Sequence, residues 1–205
     1  MENKCGGSVK VTRSLFQKKE GGSVPTSPLK LKVYKCDFKD IRHIFEKYHY
    51  KGGHMGGGIS FCLALMFDLE IVGGAVIGLP RHKSKYPNSV EIRRMACTDE
   101  MPKNTESYFL SKVIWYIKKN TTFKTVISYS DLTVGHVGTI YKAANFKKIG
   151  ETSPSIYVLW KGKRYHPRSL TIDRPYSYEL RRAVKNGEAK KMKGKPKLIY
   201  SYKIS

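Results

Sequence analysis

Acidic residues are scarce in this chain of 205 residues, in which 16 Asp and Glu stand against 39 Lys and Arg, for a net charge of +23. No fold needs so large an excess of one sign. The imbalance therefore predicts a polyanionic partner, of which nucleic acid is the simplest, because each phosphate contact releases counterions. An RNA-associated surface and plain solubility are the alternatives.

Cysteine is also rare, and its four positions (Cys5, Cys36, Cys62 and Cys97) are scattered singly. The chain has neither a C-x-x-C pair nor a paired Cys/His spacing, which excludes a zinc finger and a disulfide framework and favours a reducing cytosol. There is no apolar signal core at the N-terminus and no stretch approaching 18 apolar residues. The sequence thus predicts neither standard export nor a membrane-spanning helix.

Length and composition predict one folded domain over residues 29–160, with a loose arm over 1–28 and a Lys/Arg-rich extension over 161–205. Hydrophobic periodicity within the domain predicts the order β-α-β-β-β-α-β-α-β. The predicted strands are 29–35, 59–67, 71–79, 90–98, 126–130 and 155–160, and the helices follow Asp37 and span 107–119 and 134–145. This α/β order resembles the GCN5-related acetyltransferase (GNAT) fold, a mixed sheet with helices on both faces.

The first of two loops that suit a site connects the strand 90–98 to the helix 107–119. Lys103, Asn104 and Ser107 lie at the helix start, where free amides and the helix dipole can hold a phosphate, and Arg93 and Arg94 lie on the preceding strand. In the GNAT fold this loop binds the pyrophosphate of coenzyme A. The usual Gln/Arg-x-x-Gly-x-Gly/Ala segment is absent here, and an ordinary helix cap with exposed arginines is the alternative.

The second loop follows the strand 126–130 and begins with Asp131. A carboxylate at the carboxyl end of a central strand suits acid–base chemistry, although Asp is also a good helix cap. His49, Tyr50 and Tyr141 are placed to converge on the same cleft, and imidazole with phenolate suits iron better than zinc. Single His or Tyr side chains are, however, usually packed or hydrogen-bonded without a functional role.

The segments RRMACTDEMPKNTESYFLSKVIWYI and ISYSDLTVGHVGTIYKAANFKKIG resemble the Mom family, phage-encoded GNAT-like proteins that modify adenine in DNA. The resemblance covers roughly residues 49–150. It implies a transferase in the cytoplasm of an infected bacterium that converts adenine to N6-(methylcarbamoyl)adenine and so protects the DNA from restriction. It also implies acetyl-CoA as a cofactor, with Arg93 and Ser107 at the positions that bind coenzyme A.

Catalytic roles are implied by the same resemblance. Asp131 falls on the family's essential acidic residue, and the positions proposed to hold iron are occupied by His49, Tyr50 and Tyr141. A redox metal has a physical motive, because the product joins N6 to a CH2 group bearing a carboxamide, whereas simple acetyl transfer gives an N-acetyl group.

Double-stranded DNA is the expected substrate, and an enzyme acting on N6 must take the base out of the stack. The candidates for stacking on that base are Tyr50, Tyr86, Tyr108 and Phe109. The residues expected to contact the DNA backbone are Arg81, Lys83, Lys85, Lys190, Lys191 and Lys193. A disordered, solvated C-terminal segment is the alternative for the last three.

Two other functions fit the same pattern. One is a conventional acetyl-CoA-dependent N-acetyltransferase, against which the high positive charge and the absent glycine-rich segment argue. The other is a non-catalytic DNA-binding protein that has kept the fold alone.

Overall fold

The structure, a computed structural model, describes residues 24–204, so the predicted arm over 1–28 lies almost entirely outside the described residues. The strands are β1 (Lys32–Cys36), β2 (Ile59–Phe67), β3 (Glu70–Gly78), β4 (Ser89–Cys97), β5 (Thr125–Asp131), β6 (Lys147–Glu151), β7 (Ile156–Trp160), β8 (Lys163–Tyr165), β9 (Lys190–Lys193) and β10 (Lys197–Lys203). The helices are α1 (Phe38–Tyr48), α2 (Thr105–Asn120), α3 (Thr139–Ala143) and α4 (Ser177–Lys185). None of these four helices is long and apolar enough to cross a membrane.

Seven of the described strands form one sheet in the order β1-β2-β3-β4-β5-β10-β6. The pairs β1–β2, β2–β3 and β3–β4 are antiparallel, and β4–β5 is parallel. The remaining strands form an antiparallel sheet in the order β8-β7-β9. The predicted α/β class, a mixed sheet flanked by helices, is confirmed.

The described residues fall into two compact units. The larger unit holds residues 24–129, 138–149 and 200–204, and the smaller holds 130–137 and 150–199. The structure differs here from the domain end predicted at residue 160. The segment after 160 is folded rather than a solvated run, and β10 lies inside the seven-stranded sheet between β5 and β6. Leu198, Ile199 and Tyr200 of β10 are buried. The lysines on either side of them in the sequence made this strand resemble a solvated segment.

Helix α1 packs against one face of β2, β3 and β4. The Asp40 carboxylate accepts a hydrogen bond of 2.9 Å from the Asp37 amide and so closes the first turn. Ile41 and Phe45 are buried against the sheet, where Gly74 permits a close approach, because a Cβ atom at residue 74 would lie 2.9 Å from the Ile41 Cβ. The absence of a side chain at Gly74 therefore allows α1 to pack close to the sheet.

We expect Gly74→Ala to lower the free energy of unfolding by about 1–3 kcal/mol, because the added methyl overpacks the interface with α1. Thermal and denaturant unfolding would measure this loss. Gly57→Ala is the matched control, since a Cβ atom at residue 57 meets no atom within 4 Å. Equal stability of the two variants would show that Gly74 is not needed for the packing of α1 against the sheet.

The opposite face of the sheet carries α2. Phe61, Ile77, Ile92 and Ser128 are paired in turn across β2, β3, β4 and β5, so their side chains share one face. The Phe61 ring lies 5.5 Å from the ring of Tyr116 on α2, which identifies that face. Cys62, Val76 and Ala96 lie on the other face, against α1.

Two predicted elements differ in the structure. The helix predicted over 134–145 forms only as α3, because Asp131 caps a separate 3-10 turn over Leu132–Val134 and Gly135 and Gly138, both at positive φ, interrupt the chain. The strand predicted over 155–160 exists as β7 but belongs to the second sheet. Its expected place after α3 in the large sheet is taken by β6, which sequence periodicity did not reveal.

Candidate functional site

Strands β4 and β5 part within the large sheet. Their ladder runs only from Ser89–Thr125 to Ile92–Ser128, although β4 continues to Cys97 and β5 to Asp131. A register shift after Val76 leaves Arg93 as an extra residue in β4, a β-bulge that bends the strand at this point. The result is an opening at the carboxyl ends of two parallel strands, the usual place for a site in an open α/β sheet.

Tyr141 projects from α3 to the last pair of that ladder. The Ser128 hydroxyl donates a hydrogen bond of 2.8 Å to the Tyr141 phenol oxygen and lies 3.3 Å from the Ile92 carbonyl. Burial raises the pKa of the Tyr141 phenol, and the Ser128 hydrogen bond opposes that rise. No described residue accepts the Tyr141 proton, so the phenol is placed to donate it.

Two aromatic side chains, Tyr200 of β10 and Phe146 after α3, contact the Tyr141 ring. Its ring stacks on Tyr200 of β10 at 5.1 Å and meets the Phe146 ring edge-on at 5.5 Å. Gly138 has φ +78, and a side chain there would run into the Tyr200 ring. Tyr200 was not among the residues predicted from the sequence, although the alternation in LIYSYK is the signal of the strand that carries it.

A groove of about 440 Å³ opens between the first half of α2 and the end of α3. It is lined by Pro28, Leu29, Asn104, Ser107, Tyr108, Ser111, Ile114, Ala143, Ala144, Asn145 and Tyr202. Two of the predicted cofactor residues, Asn104 and Ser107, therefore share one groove. Tyr108 lies there too, with its hydroxyl donating to the Leu31 carbonyl.

The start of α2 presents unused backbone donors to this groove. Asn104 has φ +71, and its side chain makes no capping hydrogen bond. The Ser107 hydroxyl donates to the Asn104 carbonyl, and the amides of Glu106 and Ser107 have no acceptor among the described residues. Lys103 is exposed directly before this turn. Free amides with the positive end of a helix dipole form an anion site.

Arg93 and Arg94 hold the glycine-rich loop over residues 49–58. Arg93 donates to the carbonyls of Gly57 and Leu79 at 2.7 and 2.8 Å. Arg94 donates to the carbonyls of Gly52 and His54. Both arginines are therefore hydrogen-bonded to backbone carbonyls. Their predicted contact with a cofactor stays a prediction.

A second group of polar side chains, which sequence analysis missed, lies on the α1 face near the same strand opening. Glu91 and Tyr129 point to that face, because their neighbours Ile92 and Ser128 point to the other one. Arg81 donates its amide to Glu91, and Tyr86 is hydrogen-bonded to Tyr129. Burial raises the pKa of the Glu91 carboxyl against the charges of Arg93, Arg81 and Lys51, and it raises the pKa of Tyr129 to about 12.

His49 and Tyr50 lie at the start of the glycine-rich loop, with their rings stacked at 4.8 Å. The Lys51 amide donates to His49 Nδ1 at 3.1 Å, so that nitrogen is engaged by the backbone. Tyr141 bonds Ser128 on the opposite face of the sheet. This donor set does not fit the predicted iron site. Elsewhere in residues 24–204, no cluster of three or more His, Cys, Asp or Glu side chains could hold a metal ion.

Asp131 belongs to the smaller unit and is mostly buried. One carboxylate oxygen accepts the Thr133 amide at 3.0 Å and caps the 3-10 turn, and the other lies 3.5 Å from Lys197 Nζ. The sequence left two roles for Asp131, acid–base chemistry and capping. The structure shows the cap, and a carboxylate fixed in place by a cap and an ion pair is compatible with either role. Its catalytic role stays a prediction.

The predicted DNA-contacting and stacking residues are spread over both units. Lys83 and Lys85 are exposed on the loop after β3, and Lys190, Lys191 and Lys193 are exposed on β9. Among the predicted stacking residues, Tyr50 is 45% exposed, whereas Phe109 is fully buried in the core. Phe109 is thus corrected from a base-stacking candidate to a core residue.

The fold, with its parted strands and the groove at the start of α2, is that of the GNAT acetyltransferases. A Bacillus subtilis acetyltransferase in complex with CoA superposes with a TM-score of 0.53 at 12% identity, covering 86% of this chain and 100% of that one. The ribosomal-protein-S18-alanine N-acetyltransferase of Escherichia coli superposes with a TM-score of 0.52 at 9% identity, covering 85% and 94%.

The chain belongs to the Mom protein family, whose sequence profile matches residues 30–203. It is 35% identical over 126 residues to the methylcarbamoylase mom of Escherichia phage Mu. That match covers 61% of this chain and 51% of the relative, so the chain spans about half the length of the relative. The predicted family resemblance is confirmed.

Proposed function

We propose that this chain is a phage transferase that modifies adenine in double-stranded DNA at N6, giving N6-(methylcarbamoyl)adenine and protection from restriction. Support comes from the family, from a relative named as a methylcarbamoylase and from the charge of +23. The observation that carries the proposal is the opening between β4 and β5, which has Tyr141 on one face and Glu91 on the other.

The groove on the α2 face fits coenzyme A, and acetyl-CoA is the proposed donor or part of it. The amides of Glu106 and Ser107 would hold the pyrophosphate, with Lys103 adding charge, and the groove leads from them to Ala143 on α3. A coenzyme A thioester activates its carbonyl carbon through a good leaving group, and direct transfer of that carbon gives an N-acetyl group. Joining N6 to the neighbouring CH2 carbon and forming the carboxamide would in addition need a two-electron oxidant and an ammonia-level nitrogen donor as co-reactants, with coenzyme A leaving as the thiol. Tyr141 holds a proton at the strand opening for a developing negative charge.

The α1 face supplies the adenine side of the proposed site. Tyr86 and Tyr129 present aromatic rings beside the Glu91 carboxyl, and Tyr50 is exposed on the loop that Arg94 holds. A flipped adenine needs such stacking surfaces and a polar partner for its exocyclic amine. Arginine contacts to loop carbonyls keep the loop in place, and the Tyr50 ring within it stacks on His49.

Glu91 is the proposed acceptor of the proton that leaves the N6 amino group. When carbon replaces one hydrogen of the N6 amino group, one N–H bond breaks and one N–C bond forms, so one proton must leave for any donor. Glu91 is a carboxyl at the strand opening whose pKa burial has raised, and a raised pKa makes a carboxylate a better proton acceptor. We assign Glu91 as the proton acceptor. The positive charges of Arg93 and Arg81 favour its ionised form, which is the form that can accept the proton.

The composition of the product separates this proposal from simpler ones. Co-expression with plasmid DNA, digestion to nucleosides and mass spectrometry should show deoxyadenosine heavier by about 57 Da, the mass of C2H3NO. A gain of about 42 Da would instead indicate a conventional N-acetyltransferase. Unmodified adenine with retained DNA binding would indicate a DNA-binding protein that has kept the fold alone.

Ser107→Asp should weaken coenzyme A binding by at least about tenfold, because a carboxylate in the first turn of α2 repels a phosphate at the free amides. The same charge favours the helix N-terminus, so the melting temperature should not fall. Ser107→Ala is the control and should change binding by less than about threefold, since the hydroxyl already donates to Asn104. Calorimetric titration measures both. Equal affinity of the two variants would place the phosphate elsewhere.

A further inference from the structure

The three-stranded sheet of the smaller unit carries cationic, aromatic and apolar side chains on one face. Leu159 of β7 is paired with Arg164 of β8 and with Lys190 of β9, and Tyr157 is paired with Met192. Paired residues of antiparallel strands share a face, as do residues two apart on one strand. These five residues therefore lie together and are called the outer face below.

The other face of this sheet forms the core of the smaller unit. Val158 and Trp160 alternate with the outer-face residues on β7 and pack against Leu180 and Ala183 of α4. Within residues 24–204 nothing comparable covers the outer face, where Leu159 is 36% exposed and Met192 is 39% exposed. Two exposed apolar side chains at diagonal positions of this face indicate a contact surface.

The charges of this surface select the partner. Arg164 and Lys190 have no carboxylate partner among the described residues, whereas Arg181 of α4 pairs with Asp173 at 3.2 Å. The smaller unit carries 13 Lys and Arg against five Asp and Glu. The Arg164 guanidinium lies 5.0 Å from the centroid of the Tyr157 ring, a contact that holds the cation on the face. A second copy of the chain would bring like charge, and a polyanion would bring the opposite one.

We propose that the outer face binds duplex DNA, with Arg164 and Lys190 on the phosphates and Leu159 and Met192 against the groove between them. The inference rests on the proposed function, which makes DNA the partner. The dimensions agree, because three strands span about 10 Å and the major groove is about 12 Å wide. Strands are known to enter a groove in this way, and apolar side chains contact the thymine methyl group there.

Face alternation divides the lysines of β9, which the sequence alone treated as one basic run. Lys190 lies on the outer face, and Lys191 is paired with Val158 on the core side. Lys163 of β8 is likewise paired with Trp160, next to Arg164. All four cations are exposed, so charge removal on either face leaves the core intact.

The test compares two double variants that lose the same charge from the same two strands. Arg164→Gln/Lys190→Gln alters the outer face, and Lys163→Gln/Lys191→Gln alters the opposite one. Binding of a labelled duplex is followed by fluorescence anisotropy over a series of salt concentrations. The outer variant should bind at least about tenfold more weakly, with a slope of log affinity against log salt that is smaller by about two. The opposite variant should lose less than about threefold.

Each other result overturns the inference. Equal losses of DNA affinity in the two variants would mean that only net charge matters. Unchanged affinity in the outer variant would show that DNA does not bind this face. If the outer variant instead changes the sedimentation coefficient and keeps its DNA affinity, the face joins two copies of the chain. Failure of the proposed function looks different, because the unaltered chain would then leave adenine unmodified, whereas this test reads binding alone.

Discussion

Tyr141→Phe should lower adenine modification by at least about 100-fold, the range expected when a general acid is removed. The change deletes one oxygen atom and keeps the ring that stacks on Tyr200 and meets Phe146. Ser128 keeps the Ile92 carbonyl, 3.3 Å away, as its remaining hydrogen-bond partner. The loss should therefore appear in the rate of modification rather than in folding.

Tyr116→Phe is the matched control for this prediction. Tyr116 is also a phenol on the α2 face of the sheet, and its ring contacts Phe61 away from the strand opening. Its activity should stay within about twofold of the unaltered chain, and both variants should bind duplex DNA with unchanged affinity. Full activity of Tyr141→Phe would remove the phenol from the chemistry.

Glu91→Gln should also lower the rate by at least about 100-fold, because the amide has almost the same shape and cannot accept the amine proton. In the unaltered chain the rate should fall as pH is lowered through the raised pKa of Glu91, since protonation removes the acceptor. The variant should lose this limb of the pH profile. Asp131→Asn is the comparison, since any loss that it causes should leave the limb in place.

The stability change of Glu91→Gln has a definite sign. The folded chain raises the pKa of Glu91 above its ordinary value of 4.5, so the folded state binds the proton more tightly than the unfolded state. The stability that this carboxyl contributes is present below its ordinary pKa and is lost as pH rises through the raised one. The variant should thus be at least as stable as the unaltered chain at neutral pH, measured by chemical denaturation. Lower stability would show that burial does not govern this carboxyl.

The sequence predicted those parts of the fold whose signals are local. Strand β2 begins and ends at the predicted residues, and α1 follows Asp37 as predicted. Strand β10 could not be found this way. Its lysines resemble a solvated run, and its place beside β5 depends on contacts between distant segments.

The candidate site was predictable only on its cofactor side. A helix start after a strand leaves free amides wherever it occurs, so Asn104 and Ser107 could be selected from local order alone. Glu91 could not, because a glutamate in an alternating strand normally faces solvent. Burial changes its environment, and its neighbours include Arg81 from the loop after β3 and Tyr129 from β5.

The central claim is that adenine is modified at the opening between β4 and β5, with Tyr141 and Glu91 on its two faces. The most direct test measures, in plasmid nucleosides, the fraction of deoxyadenosine that is heavier by about 57 Da, for the unaltered chain, Tyr141→Phe and Glu91→Gln. The account predicts the adduct with the unaltered chain and its near-complete loss in both variants, each of which still binds DNA. An adduct that persists at full level in both variants would contradict it.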